Sequence, residues 1–335
     1  MNKPSLETAM SSSLSVAIPS SPLRGLGFSS SSVESVLRTA VSVGMRPLLL
    51  ELLAGRLPPE HFRSVIARTA LDDERRAAGA AIAGNDVYPI VHGGVVSASV
   101  DLAFGGMRTR VVDADSDFLS RHFFLAWNPN GKMHSVSAAL SNCFSDPVAG
   151  CRVRSLSALA GEMTRNLEKQ DWRACGQGFL DYNREFQAWS KSYLSPSVAS
   201  RMSSLVSRAG KDRLPGWKHP GAGDAESVLL VCDGRSETIS FLRSEFQSCG
   251  WEFQPVRGQG GLQVSLDTPG QKLTVSAPHR VDFIGAADLG ADARIAVEGT
   301  CLACAVGPRL QIDCPFVHAL QGDMRNGWSA SVDRA

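Results

Sequence analysis

Residues Pro22–Ser35 read PLRGLGFSSSSVES, two glycines and four consecutive serines ahead of a run with helical spacing. Serine-rich tails and anion-binding loops draw on the same residues, so the stretch is either a low-complexity leader or a loop built to hold phosphate. What flanks it decides between the two. Upstream, SLSVAIPS at 13–20 alternates small or polar with apolar residues, as a strand does. Downstream, Val33, Val36, Leu37, Ala40 and Val41 recur at helical intervals. In the order strand, glycine-rich loop, helix, unpaired amides at the helix start point outward and the helix dipole favours an anion there. Glycine lets the backbone approach phosphate closely, and serine hydroxyls add donors or face a magnesium ion.

The 335 residues are 43% hydrophobic, enough to bury the core of one large domain or two lobes. Lysine plus arginine (34) nearly balances aspartate plus glutamate (33). The net charge of +1 therefore gives no electrostatic case for nucleic acid or an acidic membrane. The first twenty residues carry one lysine and no apolar core of signal-peptide length. No later stretch approaches the roughly 20 apolar residues that span a bilayer, so the expected compartment is the cytosol. Eight cysteines are scattered rather than spaced as a framework, which fits reduced thiols. Cys301 and Cys304 stand at metal-ligand spacing but lack a second pair, and read as buried small hydrophobes.

Along the chain, a helical pattern runs from 46 to 79 and breaks at Pro58–Pro59, which implies two helices. AGNDVYPIVHGG at 83–94 reads as a glycine-bounded turn, followed by a strand at VVSASVDLAF. The section from about 150 to 210 is mostly helical. Then come the turn LPGWKHPGAGDA, the strand SVLLVC, the amphipathic helix SETISFLRSEFQSCG, and the strands EFQPVR and GLQVSL. The turn at Thr268–Gly270 folds the chain back into KLTVSAPHRVDFIG as a hairpin. The layout is mixed α and β without internal repeats.

Three motifs resemble those of the GHMP small-molecule kinases, in an unusual order. The opening loop is similar to their second motif, with Gly25, Leu26, Gly27, Ser29 and Ser30 in register. Glu74 stands twelve positions before Asp86, and six residues separate Asp86 from Gly93–Gly94, a spacing that resembles the sugar and mevalonate kinases. GWKHPGAGDAESVLLVC resembles the third motif through Gly216, Lys218, Gly221, Ala222 and Gly223. The first motif, which opens such chains, appears instead near the far end in SAPHRVDFIGAADLG, through Ala277, Pro278, Arg280, Val281, Asp282, Phe283, Gly285 and Asp288. The chain thus resembles a circularly permuted member, nearest the heptose 7-phosphate kinase and fucokinase branch. Permutation asks only that the original ends lie close and the new break fall in an exposed connection.

The resemblance implies an α+β, two-lobed fold, with one lobe like ribosomal protein S5 and one ferredoxin-like. It places the ATP loop and catalytic aspartate in 1–150, the second lobe with motif three in 151–268, and the permuted motif-one strands in 269–335. It implies an ATP- and Mg2+-dependent kinase acting on a hydroxyl of a small polar metabolite, a sugar or sugar phosphate at its anomeric position. Asp86 would act on the substrate hydroxyl, and Arg280 would lie beside it and keep it ionised. Pro22, Gly25, Leu26, Gly27, Ser29, Ser30 and Ser31, with Gly221, Ala222 and Gly223, would cradle the nucleotide; Ser29 and Glu74 would help hold magnesium. Lys132 and His134 fall where related kinases bind the sugar. The remaining histidines show no ligand spacing and receive no catalytic part. Asp224 and Glu226 stand where small glycines are expected, which motivates a second reading as a weak or inactive nucleotide- or metabolite-binding module. A third, an amino-alcohol kinase of the homoserine type, is disfavoured by Asp86 and Arg280.

Overall fold

The structure is a computed structural model and describes residues 31–78, 86–101, 106–131, 148–189, 193–220, 226–267, 272–285, 299–315 and 329–333. The expected strand at 13–20, Pro22 to Ser30, Lys132, His134, Gly221, Ala222, Gly223, Asp224 and Asp288 lie outside them.

The chain opens with α1 (Ser31–Ala40), α2 (Arg46–Leu53) and α3 (Pro59–Ala78), the last two separated at the proline pair as expected. The segment read as a plain turn contains a short helix, α4 (Tyr88–His92). Tyr88, Pro89, Ile90 and Val91 are all buried, so tertiary packing stabilises a helix too short to persist alone. Then follow β1 (Val95–Asp101), β2 (Gly106–Val112), α5 (Ser116–His122), β3 (Phe123–Trp127), α6 (Ala149–Glu168), α7 (Trp172–Trp189) and α8 (Pro196–Ala209). The chain continues through β4 (Gly216–Lys218), β5 (Ser227–Val231), α9 (Ser236–Gln247), β6 (Glu252–Pro255), β7 (Gln263–Leu266), β8 (Lys272–Ile284), β9 (Thr300–Pro315) and β10 (Ser329–Asp333).

The strands form two antiparallel sheets, so the fold class is α+β. The larger runs β2-β1-β9-β8-β7, with β10 pairing the far half of β9; the smaller runs β4-β5-β3-β6. Sheet membership does not follow the expected boundaries at 150 and 268: β3 stands in the smaller sheet and β7 in the larger. β7 belongs there because it forms the hairpin with β8 that the turn at 268–270 implied.

Alternation assigns the layers. On β3, Phe123, Leu125 and Trp127 join one core while Phe124 and Ala126 join another. The first core lies between the two sheets and takes in α6 and α7. A second covers the other face of the larger sheet with α1 to α4, and a third covers the other face of the smaller sheet with α8 and α9. Phe283 of β8 stacks on Phe123 of β3 and meets Phe179 of α7 edge-on, which joins the sheets through an aromatic cluster. Cys301 and Cys304 are fully buried on β9. Among the described residues, no helix is long and apolar enough to cross a membrane.

Candidate active site

The site forms where the middle of β8 faces α1, α3 and α4. Along β8 the residues facing these helices are first the odd ones: Leu273, Val275 and Ala277 all belong to the helix-covered core. Beyond residue 278 the odd residues Val281 and Phe283 face the opposite core, so Arg280 and Asp282 turn toward the helices. The change of face coincides with a break in register. Pro278 pairs with Arg309 but His279 pairs with Val306, which leaves Gly307 and Pro308 of β9 without partners on β8. Two prolines at this point, Pro278 and Pro308, cannot donate to the ladder, and a strand gives up regular pairing where that happens. Arg309 secures the irregular stretch by donating to the carbonyls of Gly260 (2.6 Å), Gly261 (2.8 Å) and Ser276 (2.9 Å).

Arg280 sits at the centre. One terminal nitrogen of its guanidinium donates to the Asp86 carboxylate and the other to Asp282. All three side chains are largely shielded, with Arg280 18% and Asp86 22% exposed. Asp86 is placed at the head of α4, whose end is fixed by the glycine pair. Gly93 and Gly94 have φ of 81° and 63°, and a Cβ on Gly93 would overlap the backbone of Gly260 and Gly261. The Gly93 amide closes α4 onto the Pro89 carbonyl (2.8 Å) and the Gly94 amide donates to Gln259 (2.8 Å). The spacing from Asp86 to the glycines is thus the length of one short helix.

Glu74 reaches the same region from α3. The Ser32 hydroxyl, in the first turn of α1, donates to Glu74 Oε2 (3.2 Å), and the Ser35 hydroxyl reaches the Ala70 carbonyl (3.5 Å). Burial pushes the Glu74 carboxyl up, opposed by Ser32 and by the Arg280 charge. Its second oxygen, Oε1, is buried and without a hydrogen-bond partner among the described residues. A buried carboxylate oxygen with no donor is what a cation ligand requires. Glu74 and the Ser32 hydroxyl therefore offer oxygen donors of the kind a hard cation takes. Among the described residues no cluster of three or more histidine, cysteine or acidic side chains could bind a metal by itself.

Of the residues expected to act together, Asp86, Arg280 and Glu74 converge, and Ser31 opens α1. Glu226 accepts from the Asn128 side chain, so a donor occupies that carboxylate. His219 and His279 are held down to about 4 by burial and are neutral near pH 7. Two participants received no role from sequence: Ser32, which takes the contact with Glu74, and Asp282, the second partner of Arg280. Two-residue alternation from Arg280 could have flagged Asp282. No family model matches the chain, and no curated protein matches it either.

Proposed function

We propose that this chain is an ATP-dependent kinase that phosphorylates a hydroxyl of a small polar metabolite, a circularly permuted GHMP kinase with a sugar or sugar phosphate as substrate. The observation that carries this reading is the ion pair between Asp86 and Arg280, residues 194 positions apart, beside the Glu74 carboxylate. Two sheets with separate helical layers are consistent with two lobes, and the central place of β8 is consistent with motif-one strands moved to the end of the chain.

Phosphoryl transfer needs alignment and charge neutralisation more than covalent help. Asp86, kept ionised and oriented by Arg280, would accept the proton of the substrate hydroxyl. Arg280 would do this without being consumed, since guanidinium stays charged. Glu74 and Ser32 would hold magnesium, which when bound neutralises charge on the ATP phosphates. The serine-rich loop preceding α1 would deliver backbone amides to those phosphates.

The test is ADP release with ATP, Mg2+ and a panel of sugars, heptose phosphates and amino alcohols. The reading requires turnover on a sugar or sugar phosphate. Turnover confined to amino alcohols would replace the substrate class, and nucleotide binding without turnover on any acceptor would sink the enzyme.

A further inference from the structure

Lys218 lies in β4, paired with Leu229 of β5, and is fully buried. A buried ammonium is costly unless its surroundings compensate it. Two groups do so here. Its Nζ donates to the backbone carbonyl of Asp282 at 2.9 Å, and it lies 4.5 Å from the centre of the Tyr182 ring. β4 belongs to the smaller sheet and Asp282 to the larger, so the contact crosses from one sheet to the other.

The crossing is reinforced on both sides. The Asp282 amide donates to the Pro220 carbonyl (3.2 Å), two residues beyond Lys218, so both backbone polar groups of Asp282 are taken up by the β4 segment. Tyr182 is itself fully buried in the core between the sheets. α7, which carries Tyr182, lies directly on β4: a Cβ on Gly216 would overlap the Gly176 carbonyl. Asn183 adds a bond to the Trp217 carbonyl at 2.7 Å. Lys218 therefore has a rigid base, and its reach ends on the residue whose carboxylate shares Arg280 with Asp86.

We propose that Lys218 is a positioning residue: from the smaller sheet it fixes the Asp282 segment of β8, and through Asp282 it fixes the Arg280–Asp86 pair. The paired run 279–282 of β8 lies between two register shifts, one before His279 and one between Asp282 and Ile284, and the tie from β4 meets it at the second. Lys218 touches neither Asp86 nor any reacting group; it acts through Asp282. Only the kinetic part of the test rests on the kinase reading.

The direct test observes Arg280 in the full chain. In protein labelled with 15N-arginine, a guanidinium gripped by two carboxylates rotates slowly and shows separate signals for its two terminal nitrogens, assigned by their loss in Arg280→Lys. Those signals should be resolved in the wild type, merged in Lys218→Met, and resolved again in Lys218→Arg, which keeps a donor for the Asp282 carbonyl. Resolved signals in a folded Lys218→Met would overturn the proposal. Failure of both variants to fold would also overturn it, by making Lys218 a folding residue. With a substrate in hand, Lys218→Met should lower kcat about 10- to 100-fold with KM for ATP unchanged. An absence of turnover in the wild type would refute the kinase and leave the spectroscopic result standing.

Discussion

Lys218→Met gives a signed and quantitative test of how this core handles its buried charge. Burial pulls the Lys218 ammonium down to about 7 from 10.5, against the opposing pull of the Asp282 charge. The groups facing it are Asp282 from β8, Tyr182 from α7 and His219, the residue just after β4; His219 is neutral over the range of interest. Between pH 7 and 10.5 the unfolded chain holds about one proton more than the folded chain at this residue, so stability rises with pH. Below pH 7 both states are protonated and the full cost of burying the ammonium is present. Integrating from pH 7 to 9, the lysine should make the wild type about 2 kcal/mol more stable relative to Lys218→Met than it was at pH 7. Cys232 and Cys304, both pushed up to about 12 by burial, add an opposite slope at high pH, but it is common to both proteins and cancels in the difference. Urea denaturation of both proteins at half-unit steps from pH 6 to 9 gives the two curves. Parallel curves above pH 7 would refute the reasoning, because they would mean that the buried ammonium holds its proton as firmly as it does in the unfolded chain.

Asp86→Asn should lower kcat by 100-fold or more while nucleotide affinity, followed by calorimetry, stays near the wild-type value; wild-type turnover would remove Asp86 from the chemistry. Glu74→Gln removes a carboxylate whose proton affinity burial has raised, so its destabilising charge is fully present above that raised pKa and relieved as pH falls through it. Differential scanning calorimetry at pH 8 without nucleotide should therefore show a higher Tm for Glu74→Gln than for the wild type, and a smaller increase on adding Mg–ATP. A larger increase would exclude Glu74 as a metal ligand. Phe283→Ala should cost about 3–5 kcal/mol in urea denaturation, since the ring is fully buried between β3 and α7; a loss under about 1 kcal/mol would mean the aromatic cluster does not join the sheets.

Much of the local structure was legible. Pro58–Pro59 divides α2 from α3, the apolar run SVLLVC is β5, and β7 pairs antiparallel with β8 as the expected hairpin requires. The elements that escaped share a cause: their form depends on neighbours. β2 reads GMRTRVV, too polar to announce a strand, and forms because β1 offers it a free edge. α4 is five residues long and is held by burial of its apolar side chains. β3, with five consecutive buried residues, shows no alternation because both its faces are covered.

For the candidate site, sequence determined the participants and their local frames: an acidic residue one short helix ahead of a glycine pair, a glutamate on a long helix, and an arginine in a strand. Side-chain chemistry and short-range spacing are written along the chain, and no folding is needed to read them. Tertiary structure decided which face Arg280 takes. A register break at two prolines on adjacent strands turns residues 280 and 282 toward the helices, and uninterrupted alternation from Ala277 would have aimed them at the opposite core. It also decided that a lysine from the other sheet closes on Asp282, a contact between residues 64 positions apart that no local pattern encodes.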